Sequence, residues 1–285
     1  MNAALVSFGC IMLAFVGLPG AIVASIIIAL VTLQKGYKSG ALVLAFVALP
    51  AVGFLLHKEM SPFDITFLQC VFVWALAGLL RKFQSWRLVF EVMVVIGIVL
   101  IAVFHLLVPD AAQFWTQIIT NFITKLNVEA NANINMAEVT KAIAPFVTYL
   151  SGILLFTLLS LVFVELLLAR RWDMRVRGNA EGYSREFTHI QMGMLNIVLL
   201  VLAGVGALFH SDMARDCLFV VVLPFMYSGL SYVHYLVKRN RQLIYLLVIL
   251  YVGLFLTYTC LEVVLLLALV GFVDSLCDFR KRLAF

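Results

Sequence analysis

The sequence predicts an all-α fold: a polytopic transmembrane helical bundle of six ordinary spans, with a broken or hairpin helix pair at each end and eight to ten helices in all. Three observations carry this. Of 285 residues, 64% are hydrophobic and only 12% charged, with a mean hydropathy of +1.10; soluble domains carry about 25% charged residues. Apolar runs of membrane-spanning length recur between short polar loops. Lys and Arg gather in alternate loops, the signature of cytoplasmic connections.

The charge pattern orients the chain. Arg170, Arg171, Arg175, Arg177 and Arg185 lie in one polar interruption, Glu165 to Gln191. Residues 170–187 are therefore read as a basic cytoplasmic loop. Within it Gly178 and Gly182 bracket a turn, Ser184 serves as an N-cap, and Glu186 sits at the positive end of the next helix. The clusters at 34–38, 81–87, 238–241 and 280–282 are also basic, whereas 57–64, 110–144 and 210–216 are mixed. Alternation from residue 34 to residue 241 gives six spans: 40–56, 65–82, 88–108, 145–169, 188–209 and 217–237.

The two terminal runs are too long for single spans. Residues 3–33 break at Gly17-Leu18-Pro19-Gly20, since Pro suits the first turn of a new helix better than an interior. A short helix to Gly17 and a second from Pro19 to Leu33 follow. Residues 243–274 lie between two basic clusters, so they cross an even number of times. Two short helices turning near Thr257-Tyr258-Thr259 meet that demand; a single tilted span would place Arg280–Arg282 outside. The first residues, MNAALVSFGC, lack the basic region of a cleaved signal and are read as part of one integral-membrane domain, 1–285.

Residues 110–144 form an amphipathic extracytoplasmic segment. Trp115, Ile118, Ile119, Phe122 and Leu126 share one helical face, which suits a helix lying along the membrane surface. The net charge of +5 resides mainly in loops and serves orientation; no basic face with interleaved aromatics points to nucleic acid. The five cysteines lie in or beside apolar runs without metal or redox spacing. Tyr227-Ser228-Gly229-Leu230-Ser231 with His234 lacks the form of an intramembrane serine protease, and Ser231 and His234 fall one turn apart on one helix. No metalloprotease or phosphate-binding motif is present, so neither enzyme nor cofactor is expected.

Three stretches carry a family resemblance. Ala169, Arg170 and Trp172 resemble the A-R-x-W segment of the YybS-like bacterial membrane proteins, a family of unknown function. Asn179, Gly182, Tyr183, Glu186 and Phe187 resemble the N-P-G-G-F-x-x-E-F segment that follows there, with Ala180 and Glu181 departing from it. Gly271 to Arg280 is similar to the ending G-x-x-D-x-x-x-D-F-R, and the Pro224, Gly229 and His234 span is similar more weakly. The resemblance implies a bacterial cytoplasmic (inner) membrane location. It also implies kinship with S components of energy-coupling-factor transporters, which capture a vitamin-like small molecule and work with a transmembrane coupling protein and ATPases. Ligand would then enter from the 110–144 side, and the basic loop, with Arg170, Arg171, Trp172, Asn179, Gly182, Glu186 and Phe187, would face cytosolic partners. A non-transporting membrane scaffold or assembly partner is the alternative.

Gly17, Ala21, Ser25 and Ala29 recur every four residues and make a flat helix face. It resembles the face on which S components dock their coupling protein; packing between helices of the same chain is the preferred reading, since such stripes are common inside membrane bundles. Glu262, in LEVVLLLALV, has no cationic side chain nearby in sequence. It reads as a substrate or proton contact, as a neutral carboxyl bonded to a neighbouring helix, or as a residue near a hairpin tip. Glu91 and Glu165 lie about a turn from Arg87 and Arg170 and are expected to pair with them at the interface. His105 and His234 are expected to be satisfied by backbone or headgroups, and Gln69, Gln191 and Asn196 to bond between helices. Asp274, Asp278, Arg280 and Arg282 form a charge cluster that would staple the C-terminal end to the 170–185 loop by ion pairs.

Overall fold

Apolar helices that hide their backbone polar groups within themselves account for nearly all of the structure. The computed structural model describes residues 20–55, 62–130, 136–256 and 261–282, and no strand occurs among them. In order these are α1 (Gly20–Lys35), α2 (Tyr37–Leu55), α3 (Pro62–Phe83), α4 (Trp86–Leu107), α5 (Ala111–Ala130), α6 (Met136–Val147) and α7 (Leu150–Val176). There follow α8 (Ala180–Thr188), α9 (Met194–Leu208), α10 (Asp212–Arg239), a 3-10 turn (Arg241–Leu243), α11 (Ile244–Leu256), α12 (Leu261–Cys277) and the short α13 (Phe279–Arg282). The expected first short helix and the expected turn at Thr257-Tyr258-Thr259 lie outside the described residues.

Among the described residues, four helices are long and apolar enough to cross a membrane: Thr66–Phe83 of α3, α4, α7 and α10. Helix α10 is the central one. Of its apolar window 61% is buried, against 33% for α3 and for α4. It packs on α4, α7, α9 and α12. Its contact with α12 is the closest, because Gly229 and Gly271 meet there. A Cβ on Gly229 would stand 2.0 Å from the Leu267 carbonyl oxygen, and one on Gly271 would stand 2.0 Å from that of Phe225. Small residues let two backbones approach where packing rather than a hydrophobic gradient drives association. A smaller cluster of Ala24, Ile28, Val43, Val47 and Cys70 joins α1, α2 and α3.

The helix ends are set by local chemistry. Gly36, at φ +103°, and Gly178, at φ +73°, end α1 and α7 in the left-handed conformation that glycine tolerates. Ser85 and Ser211 cap α4 and α10 by accepting the amides of Leu88 and Ala214. In the 170–187 stretch the expected loop is a helix–turn–helix: α7 continues to Val176 before α8 begins. Asn179, not Ser184, is the N-cap, accepting the Gly182 amide at 3.0 Å; Ser184 and Gly182 lie inside α8. The short carboxamide reaches the free amides of the first turn, which a residue in mid-helix cannot.

The run 188–209 departs from a continuous span. Helix α9 has 15 residues, about 22 Å at ~1.5 Å per residue, short of a ~30 Å core. Before it, residues 190–193 are non-helical, yet Ile190 and Met192 are buried. Side chains from α10 and the C-terminal end satisfy this irregular backbone, as described below.

Both ends of the bundle are defined by polar contacts. At one end Arg81 of α3 donates to the carbonyls of Thr32 and Leu33, Arg177 donates to Leu33, Arg170 reaches Gln84, and Lys238 reaches Ser184. Arg280 joins the same end through Thr188. All five basic clusters thus converge at this end. At the other end His105 bonds Asp216, whose second oxygen accepts the Gly152 amide, and Trp115 of α5 donates to Ser151 of α7 at 2.7 Å. The expected headgroup or backbone partner of His105 is thereby replaced by a carboxylate on α10. Trp115 also stacks on Phe104, while Ile118 and Phe122 stay exposed, as suits a helix along a lipid surface.

Candidate functional site

The C-terminal ends of α1, α3 and α7 meet at the basic end and leave a pocket of about 330 Å³. Leu33, Gln34, Arg81, Gln84, Arg170, Met174 and Arg177 line it. Arg170 is buried and forms the hub. Its Nε and Nη2 hold Glu186 of α8 at 3.0 and 2.7 Å, Nη2 also donates to Gln84 at 2.6 Å, and Asp173 lies at 3.5 Å. Asp173, itself buried, accepts from Arg177 at 2.8 Å. Arg81 has no carboxylate partner among the described residues; it caps the carbonyl end of α1, where the helix dipole favours a cation. Three guanidiniums against the two carboxylates Asp173 and Glu186 leave one net positive charge (3 − 2 = 1) around the pocket.

Beside this hub a second buried cation holds the break before α9. Arg280 donates Nε to Asp274 at 2.9 Å, Nη1 to the Thr188 carbonyl at 2.5 Å, and Nη2 to the carbonyls of Ile190 and Ser228 at 3.0 and 3.3 Å. Ser228 also donates to the Ile190 carbonyl, Ser231 to that of Phe187, and Ser275 accepts the Met192 amide. Gln191 reaches both Asp274 and Asp278. The expected staple between the C-terminal end and the 170–185 loop thus exists in altered form. Arg280 binds carbonyls just past that loop, and its ion pair is with Asp274 of its own segment. An irregular buried backbone has free carbonyls, and a guanidinium with five donors satisfies several at once.

A third polar group lies deeper. Glu165, in mid-α7, is buried completely. The ion pair with Arg170 expected from the sequence does not form. Five residues on is about 140° round a helix, so the two side chains point apart. Gln69 of α3 donates to Glu165 Oε1 at 2.5 Å, and Oε2 has no hydrogen-bond partner among the described residues. Glu91 does pair with Arg87, four residues earlier, at 2.9 Å.

The other sequence candidates separate. Gly17 lies outside the described residues. Ser25 and Ala29 are fully buried where α1 packs on α3 and α7, so those two positions are covered by the chain's own helices rather than open to a second protein; Ala21 is half-buried. Glu262 stands exposed in the first turn of α12. In the basic stretch, Arg170, Asn179, Gly182 and Glu186 build the local fold. Phe187 packs against the core, stacks with Tyr183 and meets His234 edge-on. Burial pushes the Tyr183 phenol up to about 12, so it stays neutral. His234 bonds the Leu230 carbonyl and Tyr251. Arg171 and Trp172 face outward, with Val176 beyond them. Gln69 bonds between α3 and α7, Gln191 bonds from the non-helical stretch to Asp274 and Asp278, and Asn196 donates to the Met192 sulfur four residues earlier.

Sequence reasoning missed the pocket because its three arginines come from segments far apart in the chain. Their membership of basic clusters was the available signal. Among known proteins, the chain matches no family model, no curated protein and no solved structure.

Proposed function

We propose that this protein is a bacterial inner-membrane protein of the YybS-like type that binds or moves a small anionic metabolite without hydrolysing nucleotide. In this reading the basic end faces the cytoplasm, six segments run between the two ends with the shortened α9 among them, and short helix pairs flank them. The observation that carries the ligand class is the pocket of about 330 Å³ lined by Arg81, Arg170 and Arg177 with Gln34 and Gln84. Ligand pockets start near that size, and guanidiniums bind carboxylate or phosphate groups bidentately. One excess positive charge suits a single anionic group. The pocket lies at the end opposite the 110–144 segment, so the metabolite contact is assigned to the cytoplasmic side. If the protein acts as an S component, a coupling protein and ATPases supply the energy.

Native mass spectrometry of the protein released from nanodiscs tests this. A retained small anion that is lost in an Arg81→Gln, Arg177→Gln double variant is the expected result. A ligand-free wild type that carries some other membrane protein instead supports the scaffold reading. That alternative draws on Trp172, 48% exposed, and Val176, 74% exposed, which form an apolar edge beside Arg171 at the same end.

A further inference from the structure

Glu165 stands where an ionised carboxylate is hardest to keep. By helical rise it lies about 7 Å from Arg170 along α7, and its partner Gln69 lies about 18 Å from Arg81 along α3. Both distances place it inside a ~30 Å core. Its side chain is 0% exposed, as are Ser25 and Cys70 beside it, and Gln69 is 6% exposed. The facing groups can be named helix by helix. From α3 come Gln69 and Cys70, and from α1 Ser25, whose hydroxyl donates to the Ile22 carbonyl. Tyr227 of α10 and Phe90 of α4 pack on Phe163, about 200° round α7 from Glu165, and so lie on the other side of that helix. Glu186 of α8 is already held by Arg170. No cation forms an ion pair with Glu165 among the described residues.

One amide hydrogen bond on Oε1, with no hydrogen-bond partner for Oε2 among the described residues and the nearby Ser25 hydroxyl donating to the Ile22 carbonyl, does not compensate a buried charge. This arrangement does suit a neutral carboxylic acid, with Gln69 donating to the carbonyl oxygen and the proton on Oε2. We propose that Glu165 is an intramembrane proton-binding site: it holds a proton in this conformation and releases it to water when α1, α3 and α7 separate enough to hydrate it. Intramembrane carboxyls in such settings serve as proton relays. The reading is independent of the basic-end pocket and of any ligand there.

The test uses the whole protein in nanodiscs and dicyclohexylcarbodiimide, an apolar reagent that modifies protonated carboxyls. Peptide mass spectrometry should find Glu165 modified, with labelling falling about tenfold per pH unit once the site titrates. Infrared spectra should show a protonated-carboxyl band that disappears in Glu165→Gln. Should that variant fail to fold, the pH dependence of wild-type labelling decides alone. Absence of labelling at every pH would mean a charged or inaccessible carboxylate. Labelling that does not change with pH would mean a permanently locked neutral group. Protection by sodium rather than by alkali would identify a cation site. Each of these three results overturns the proposal.

Discussion

Arg280 and Asp274 meet 2.9 Å apart inside the bundle, with side chains 5% and 0% exposed. The pair closes the C-terminal end onto the irregular backbone before α9. Removing one member of a buried pair leaves the other charged and uncompensated, a cost of about 3–5 kcal/mol. Asp274→Asn should therefore lower the melting temperature and the membrane abundance sharply. Reversing Asp274 and Asp278 together to Lys should abolish folding. Unchanged stability in the double reversal would mean that the carbonyl contacts of Arg280 suffice without the carboxylates.

The crossing of α10 and α12 tolerates no side chain at its closest point. Gly271→Ala would set a methyl against the Phe225 carbonyl oxygen, which is backbone and cannot rotate away. The helices must part, at about 1–3 kcal/mol for an overpacked core. Thermal unfolding in detergent should show the loss. Gly204→Ala, where no atom stands within 4 Å of the added methyl, should not.

Trp115 holds α5 to α7 through Ser151. Trp115→Phe keeps much of the stacking on Phe104 but loses that hydrogen bond, worth about 1 kcal/mol. Trypsin should then cut faster at Lys125, an exposed residue of α5, while the melting temperature of the bundle stays nearly unchanged.

Sidedness is open to direct measurement. Arg175 and Gln117 are both exposed, at opposite ends of the bundle. In a background without native cysteines, Arg175→Cys should react with an impermeant maleimide only in inside-out vesicles. Gln117→Cys should react only in right-side-out vesicles. The reverse pattern would invert the orientation that the basic clusters assign.

Much of the architecture is legible along the chain because its causes are local. Apolar runs mark α3, α4, α7 and α10, and Gly36 and Gly178 mark helix ends, since hydropathy and backbone freedom are properties of neighbouring residues. The shortening of α9 is not legible. Ile190 and Met192 are as apolar as a helix would require, and hydropathy does not register backbone conformation. By residue type Ser184 suits a cap; Asn179 holds that place because Gly178 ends α7 one residue earlier.

Partners are where the sequence runs out. Arg170 is the nearest cation to Glu165 along the chain, yet it faces Asp173, three residues on, and Glu186 across a turn. Ser25 and Ala29 make a flat stripe on paper, but α3 and α7 cover them. By itself the sequence determined a helical membrane protein and the grouping of its loops into a basic and a mixed set, because the bilayer selects apolar length and loop charge directly. Only the tertiary structure decided which polar groups meet: Gln69 with Glu165, His105 with Asp216, Arg280 with the carbonyls before α9. Those pairings depend on helix rotation and approach, and close packing between distant segments sets both.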